Sequence, residues 1–352
     1  MTYEIAVFEG DGIGPEITAP TLDLLRTLPC GKTLAFTHLD AGAGTYARTG
    51  EALPDASLQA ARGADAILLS AMGDPAIRYP DGTEIVPQID LRIALDLFAG
   101  VRPVRARPGG PGPLKTGEPI DFVLIRESTE GLFHTLHKGR VEEDMAEETL
   151  RITRAKSQML FRFAFDLAER RKRRGGEGRV TCVDKANVFR AFAFFRSIFD
   201  EEAASYPDLG ADHAYVDAMA LWMVTRPESF DVLVTENMFG DILSDLGAGL
   251  MGGLGLAPSA DIGLDHAVFQ PCHGTAPDIA GQGIANPLAM ILSAAMMLDW
   301  LGERNDDAAL RADGERLRGA CESVIDEGAA RGPDLGGTAR TLDIAEAVGA
   351  RL

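Results

Sequence analysis

Cysteine is scarce in this 352-residue chain, and the four present, Cys30, Cys182, Cys272 and Cys321, stand far apart. No CxxC pair or metal-like cluster forms among them, which excludes a disulfide scaffold and a zinc ribbon and fits reduced core thiols in a cytosol. Positive charge is also short, with 34 Lys and Arg against 53 Asp and Glu leaving a net −19. Such a surface repels phosphate backbones and anionic lipid, so no nucleic-acid or membrane partner is expected. Long apolar runs are missing as well: the best stretch, residues 287–301, is interrupted by Ser293 and Asp299 and is too short to span a bilayer. Residues 1–14 carry acids and glycines where a secretory signal needs a basic and then an apolar run. A cytoplasmic location is therefore expected. Internal repeats and low-complexity segments are absent too, so the chain reads as an ordinary globular enzyme large enough for two lobes.

What is present is an alternation of elements. Short apolar, β-branched runs at 5–8, 34–39, 66–69, 122–125, 180–183, 214–216 and 232–235 predict strands. Helical patterns lie between or after them, at about 15–28, 85–98, 145–174, 187–204, 240–250, 287–302, 306–328 and 340–351. This is the signature of an α/β fold with a largely parallel sheet. The Pro-Gly-Gly-Pro-Gly-Pro run at 108–113 must be a loop. The one basic run, Arg170 to Arg174, closes an amphipathic segment and precedes Gly175-Gly176. It reads as a helix end complementing the dipole rather than as a nucleic-acid patch.

Several residues suggest chemistry. Gly10-Asp11-Gly12-Ile13-Gly14 follows a strand and precedes a helix, with Asp40 at the end of the next strand. The spacing is GxGxG, not the GxGxxG of a dinucleotide fingerprint, so it establishes only a tight strand-to-helix turn. Asp241 and Asp245 are four apart on a helical segment hedged by Phe239, Ile242, Leu243 and Leu246. Alternatives there are a solvated face or a hard divalent cation, Mg²⁺ or Mn²⁺, whose oxygen ligands they would be. Arg92, Arg102 and Arg126 sit in apolar settings, where a guanidinium needs an anion, either an internal partner such as Glu127 or a substrate carboxylate. Lys185 follows a strand, and a lysine beside a cation can act as a base.

Taken together the segments resemble the β-decarboxylating dehydrogenases, the family of isopropylmalate, isocitrate, homoisocitrate, tartrate and D-malate dehydrogenases. The matching runs are Gly10–Glu16, Leu91-Arg92, Leu97-Phe98, Val101–Pro103, Ile125–Glu127, Val183–Asn187, Tyr215–Met219, Phe239–Asp245, His273–Gly281 and Ile284–Pro287. The resemblance implies a two-lobed fold of the isopropylmalate dehydrogenase type with a cleft between the lobes. The first lobe would comprise 1–99 plus 254–352 and the second 100–253. It also implies a homodimer with shared active sites, in which Lys185 and Asp217 reach the partner's cleft. Arg92, Arg102 and Arg126 would hold the carboxylates of a small 2-hydroxy acid. Asp217, Asp241 and Asp245 would bind the metal, and Lys185 with Asp217 would remove the hydroxyl proton. The cofactor would lie along His273, Gly274, Thr275, Ala276, Pro277, Asp278, Ile279 and Asn286, which removes Asp40 from consideration. Asp278 would face the adenosine ribose, favouring NAD over NADP, whose users show lysine and tyrosine in place of Asp278-Ile279.

Two departures bear on the reaction. The family pattern has a tyrosine, the acid that protonates the enolate, where this chain has Phe133 followed by His134. A histidine could donate near neutrality; water is the other source. The specificity segment carries Gln88 and Ile89, neither the paired leucines of isopropylmalate enzymes nor the serine and asparagine of isocitrate enzymes. The expected activity is oxidative decarboxylation of a 3-isopropylmalate-, D-malate- or tartrate-like acid. A non-decarboxylating 2-hydroxyacid dehydrogenase and a non-catalytic regulatory relative are the alternatives.

Overall fold

A computed structural model describes residues 2–115 and 117–352. The chain begins β1 (Tyr3–Phe8), α1 (Gly14–Thr27), β2 (Leu34–His38), α2 (Ala43–Thr49), α3 (Asp55–Gly63), β3 (Ala66–Leu69), α4 (Pro87–Ala94), β4 (Ala99–Ala106) and β5 (Ile120–Glu127). A short arm, β6 (Arg140–Val141) and β7 (Ala146–Glu147), then precedes α5 (Arg154–Arg173). Next come β8 (Arg179–Asp184), α6 (Arg190–Ala203), β9 (Gly210–Tyr215), α7 (Val216–Thr225), β10 (Val232–Thr235) and α8 (Asn237–Met251). The last elements are β11 (Pro258–Ile262), β12 (Ala267–Pro271), α9 (Leu288–Arg304), α10 (Ala308–Glu327) and α11 (Thr341–Gly349).

Ten strands form one mixed sheet in the order β2-β1-β3-β12-β11-β4-β5-β10-β8-β9. Both ends are parallel, as the alternating pattern requires, but the three central pairings, β12 with β11, β11 with β4 and β4 with β5, are antiparallel. Those central strands β4, β11 and β12 correct the sequence-based expectation, which placed none there. The reason is local: β4 reads Ala-Gly-Val-Arg-Pro-Val-Arg-Ala and β11 reads Pro-Ser-Ala-Asp-Ile, so proline and charge hide the strand pattern. Two helices also begin or end differently from expectation. The 85–98 pattern contains α4 alone and yields to β4 at Ala99, and the 145–174 pattern starts at Arg154 behind a Thr153 cap that accepts from Lys156 N. The 214–216 run is the end of β9, and Val216 already opens α7.

Burial explains the packing. Phe161, Phe165, Phe195 and Phe199 lie where α5 crosses α6, with ring centroids 4.6 Å apart for Phe161–Phe195 and 5.3 Å for Phe165–Phe199. Such tilted and stacked aromatic pairs add to what area burial alone contributes. The basic end of α5 is consumed by acids: Arg171 pairs with Asp231 and Asp121, and Arg174 reaches Glu303 at 3.1 Å. Cys30, Cys182 and Cys321 are buried, free thiols. Among the described residues no helix is long and apolar enough to cross a membrane.

The GxGxG turn is built for close approach rather than for phosphate. A Cβ on Gly10 would lie 2.0 Å from the Ala71 carbonyl oxygen, and one on Gly12 2.1 Å from that of Thr275. Gly10 and Gly12 also hold positive φ, at 69° and 59°, where other side chains are strained. Asp11 accepts bonds from Ala43 N, Gly44 N and Gly73 N at 2.7 to 2.8 Å. It therefore ties the turn to the N-terminus of α2, a favourable place for a carboxylate. Ile13 N donates to Thr275 O at 2.9 Å, so this turn braces the 273–286 loop. Asp40 lies at the surface 3.5 Å from Arg48.

Candidate active site

The polar residues meet where the antiparallel centre of the sheet faces α4 and α8. Their cleft, about 380 Å³, is lined by Gln88, Ile89, Arg92, Arg102, Arg126, Leu132, Phe133, Asp241 and Asp245, with Asn237, Ser259, Gln270 and Cys272 among the rest. A larger cavity, about 710 Å³, has Val101, Pro103 and Arg105 in its wall. Strand alternation puts these on the side of β4 opposite Arg102. Its arginines are paired with its acids, Arg105 and Arg107 with Glu322 and Arg318 with Asp299. The smaller cleft is the candidate site, because arginines and carboxylates converge there on open space.

Each arginine is held differently. Arg92, on α4, is buried and places Nε 2.9 Å from Asp261 Oδ2 as an ion pair, off the line of a good hydrogen bond. Arg102 donates from NH1 to Ala260 O at 2.9 Å and from NH2 to Asp261 Oδ1 at 3.2 Å. Arg126 donates from Nε and NH2 to Asn237 Oδ1, at 3.2 and 2.7 Å, and pairs through NH1 with Asp241. Burial, with Asp241 partly offsetting it, pushes the Arg126 guanidinium down to about 10. The Glu127 partner considered from sequence is not used. Glu127 turns back to accept from Thr129 N and Glu130 N, both at 2.7 Å.

Asp261, which sequence reasoning missed, is the buried anion beneath this cluster. Burial pushes its carboxyl up, but Arg92 and Arg102 outweigh it and hold the group below the usual range. Gln270 Nε2 at 2.9 Å and Ser128 Oγ at 3.2 Å complete its shell. Gly100 makes room, since a Cβ there would sit 2.6 Å from Ser128 Oγ. An aspartate as the one charge in a short strand, Pro-Ser-Ala-Asp-Ile, was the available signal.

Asp241 and Asp245 lie one turn apart on α8 and both border the cleft. Glu236 fixes the start of that helix, accepting from Met238 N at 3.0 Å and Phe239 N at 3.4 Å. Burial, and after it repulsion from Asp241, raises the Asp245 carboxyl above the ordinary value. Two oxygen donors under mutual repulsion suit a hard divalent cation, which would relieve the repulsion. The third expected ligand, Asp217, does not join them in this chain. It pairs with Lys185 away from the cleft, and that lysine holds its carboxyl below the usual range. Among the described residues no group of three metal-ligating side chains forms within one chain.

Phe133 lines the cleft, whereas His134 is exposed and is not part of its wall. The loop expected to hold the cofactor starts at the cleft's edge, after Pro271 and Cys272. His273 Nδ1 lies 2.9 Å from Gly274 O, and its Nε2 is enclosed without a partner. Burial pushes the His273 imidazole pKa down, favouring the neutral ring. Thr275 and Asn286 are buried, with Asn286 Oδ1 accepting from Leu288 N at 3.0 Å and Nδ2 donating to Asp334 at 2.9 Å. Ala276 holds a positive φ of 39°; Gly274, Pro277 and Asp278 are exposed and Ile279 is half-buried.

A sequence model of isocitrate/isopropylmalate dehydrogenase matches residues 4–348. The chain belongs to that family. It is an enzyme of a decarboxylating dehydrogenase family that acts on a small molecule. It is 44% identical to the 3-isopropylmalate/3-methylmalate dehydrogenase of Methanocaldococcus jannaschii, covering 99% of each chain. It is 41% identical to the 3-isopropylmalate dehydrogenase of Methanothermobacter thermautotrophicus, covering 100% of this chain and 99% of the relative. Isocitrate dehydrogenase from Methylococcus capsulatus superposes with a TM-score of 0.86 at 37% identity, over 99% of each chain.

Proposed function

We propose that this family member catalyses NAD-dependent, divalent-metal-assisted oxidative decarboxylation of a malate-type 2-hydroxy acid. The observation that carries the reading is the convergence of Arg92, Arg102 and Arg126 with Asp241 and Asp245 on one cleft. Relatives named for 3-isopropylmalate and 3-methylmalate favour a 3-alkylmalate, and Ile89, Leu132 and Phe133 offer apolar wall to its alkyl group. D-malate and tartrate, with smaller or polar C3 substituents, remain in the same class and would face Gln88.

A divalent cation bound by Asp241 and Asp245 would polarise the 2-hydroxyl and the ketone derived from it, while NAD along residues 273–286 would accept the hydride. The chain's own residues do the rest. Arg92 uses only Nε internally, so its two terminal nitrogens are free to grip a carboxylate bidentately. Lys185, through Asp217, removes the hydroxyl proton. Phe133 donates nothing, and since His134 is exposed and not among the residues lining the cleft, water protonates the carbon that loses CO₂. Exposed Asp278 presents a carboxylate to the ribose and disfavours a 2′-phosphate.

The Lys185–Asp217 pair reaches the cleft of a second copy in this proposal. Asp217, Leu221 and Val224 follow one face of α7, and Met238 and Ile242 one face of α8; the four apolar side chains among them are exposed. Apolar stripes of this kind mark association surfaces, and a shared site is their simplest use. The division into a 1–99 plus 254–352 lobe and a 100–253 lobe, and the cytoplasmic location suggested by four free cysteines, belong to the same reading. The test is turnover of 3-isopropylmalate, 3-methylmalate, D-malate and tartrate with NAD and Mn²⁺, followed as NADH. Turnover of at least one is expected; inertness towards all of them would overturn the proposal.

A further inference from the structure

We propose that Asp261 is a positioning residue that sets the charge of the cleft, tuning it to a dianion and against a trianion. The inference rests on the reading of the cleft as a carboxylate site and specifies its substrate class further. Asp261 is wholly buried, and it meets Arg92, Arg102, Gln270 and Ser128 at once. Its shell is complete, so it is not a ligand for substrate. Its effect passes through the arginines.

The effect has a geometric and an electrostatic part. Geometrically, Asp261 takes only Nε of Arg92 but, together with Ala260 O, engages both terminal nitrogens of Arg102. Arg92 is thereby turned with its free fork toward the cleft, while Arg102 is largely committed to protein. Electrostatically, Arg92, Arg102 and Arg126 are balanced in number by Asp241, Asp245 and Asp261, and the Lys185–Asp217 pair is neutral wherever it docks. One divalent cation leaves the site with two net positive charges, the match for a dicarboxylate. Without the Asp261 charge the balance would favour a third carboxylate. Because the group is desolvated, its charge is poorly screened at the neighbouring guanidinium groups.

The test compares binding of succinate, a dianion, with tricarballylate, the same skeleton bearing one more carboxylate. Calorimetry is run near neutral pH at fixed free Mg²⁺ on the purified full-length protein, without NAD. Wild type is expected to bind succinate at least about tenfold tighter, and Asp261→Asn to shift the ratio about tenfold toward tricarballylate. Asp261→Glu, which keeps the charge, should keep the wild-type ratio while both affinities fall. An Asn variant that weakens both ligands equally, or leaves the ratio unchanged, has lost only structure and overturns the proposal. If that variant fails to fold, equal wild-type affinity for the two ligands overturns it as well. Failure of the proposed reaction would show separately, as charge selectivity without turnover of any malate-type acid.

Discussion

Replacing Asp241 by asparagine isolates the metal proposal. In the ligand-free chain Asp241 neutralises Arg126 and repels Asp245, two effects that oppose each other when it is removed. Arg126 keeps both bonds to Asn237, so the variant should fold with a melting temperature close to wild type in chelator. The difference should appear with metal. A cation at about one hundred times its Kd stabilises the native state by about 2.7 kcal/mol. Unfolding entropy of about 2.1 cal/mol/K per residue gives roughly 0.7 kcal/mol/K for a chain of this length. Saturating Mn²⁺ should therefore raise wild-type Tm by about 4 °C. Thermal melts of both proteins with Mn²⁺ and with chelator measure the shift, and it should vanish in Asp241→Asn together with activity. A wild-type Tm indifferent to Mn²⁺, or a variant that keeps the full shift, would refute the assignment of Asp241 as a ligand.

Three further outcomes are expected. kcat/KM should favour NAD over NADP by at least about tenfold, and Asp278→Lys should narrow the ratio; a native preference for NADP would contradict the ribose role. Phe133→Tyr should fold normally and raise kcat or leave it unchanged, with His134→Ala silent, because a phenol can donate where a phenyl ring cannot; a His134→Ala variant whose protonation step slows would restore the histidine as donor. Asp261, whose carboxyl is held below the usual range in the folded state, contributes stability above its unfolded pKa and loses it as pH falls through the lower folded value. Asp261→Asn should accordingly be less stable than wild type at neutral pH, by about 3 kcal/mol for a broken buried pair, with the gap closing in strong acid; urea melts at both pH values would show a constant gap if the reasoning were wrong.

The outer sheet was legible because its strands, such as Ala66–Leu69 and Val232–Thr235, are short apolar runs bounded by helices. The centre was not. There β4, β11 and β12 carry Arg102, Asp261 and Gln270, and local pattern fails where polar groups are buried for use. Arg92, Arg102, Arg126, Asp241 and Asp245 could be named from sequence because each stood out as charge in apolar company. Their mutual pairing could not, since Asp261 lies far along the chain from Arg92 and only the fold brings them together. Asp11 shows the converse: the glycine run around it establishes only a tight strand-to-helix turn, and only the fold shows its carboxylate accepting from three backbone N–H groups. Lys185 and Asp217 were expected to act between copies, and no pattern within one chain shows where they dock.

The central claim is that hydride removal and carbon dioxide release occur at this one cleft. It is tested most directly by incubating the full-length protein with Mn²⁺, NAD and whichever 3-alkylmalate or malate-type acid turns over, then measuring NADH and CO₂ together. The account predicts the two in equal amounts, both abolished in Asp241→Asn. NADH formed without CO₂ would contradict it and leave a plain 2-hydroxyacid dehydrogenase.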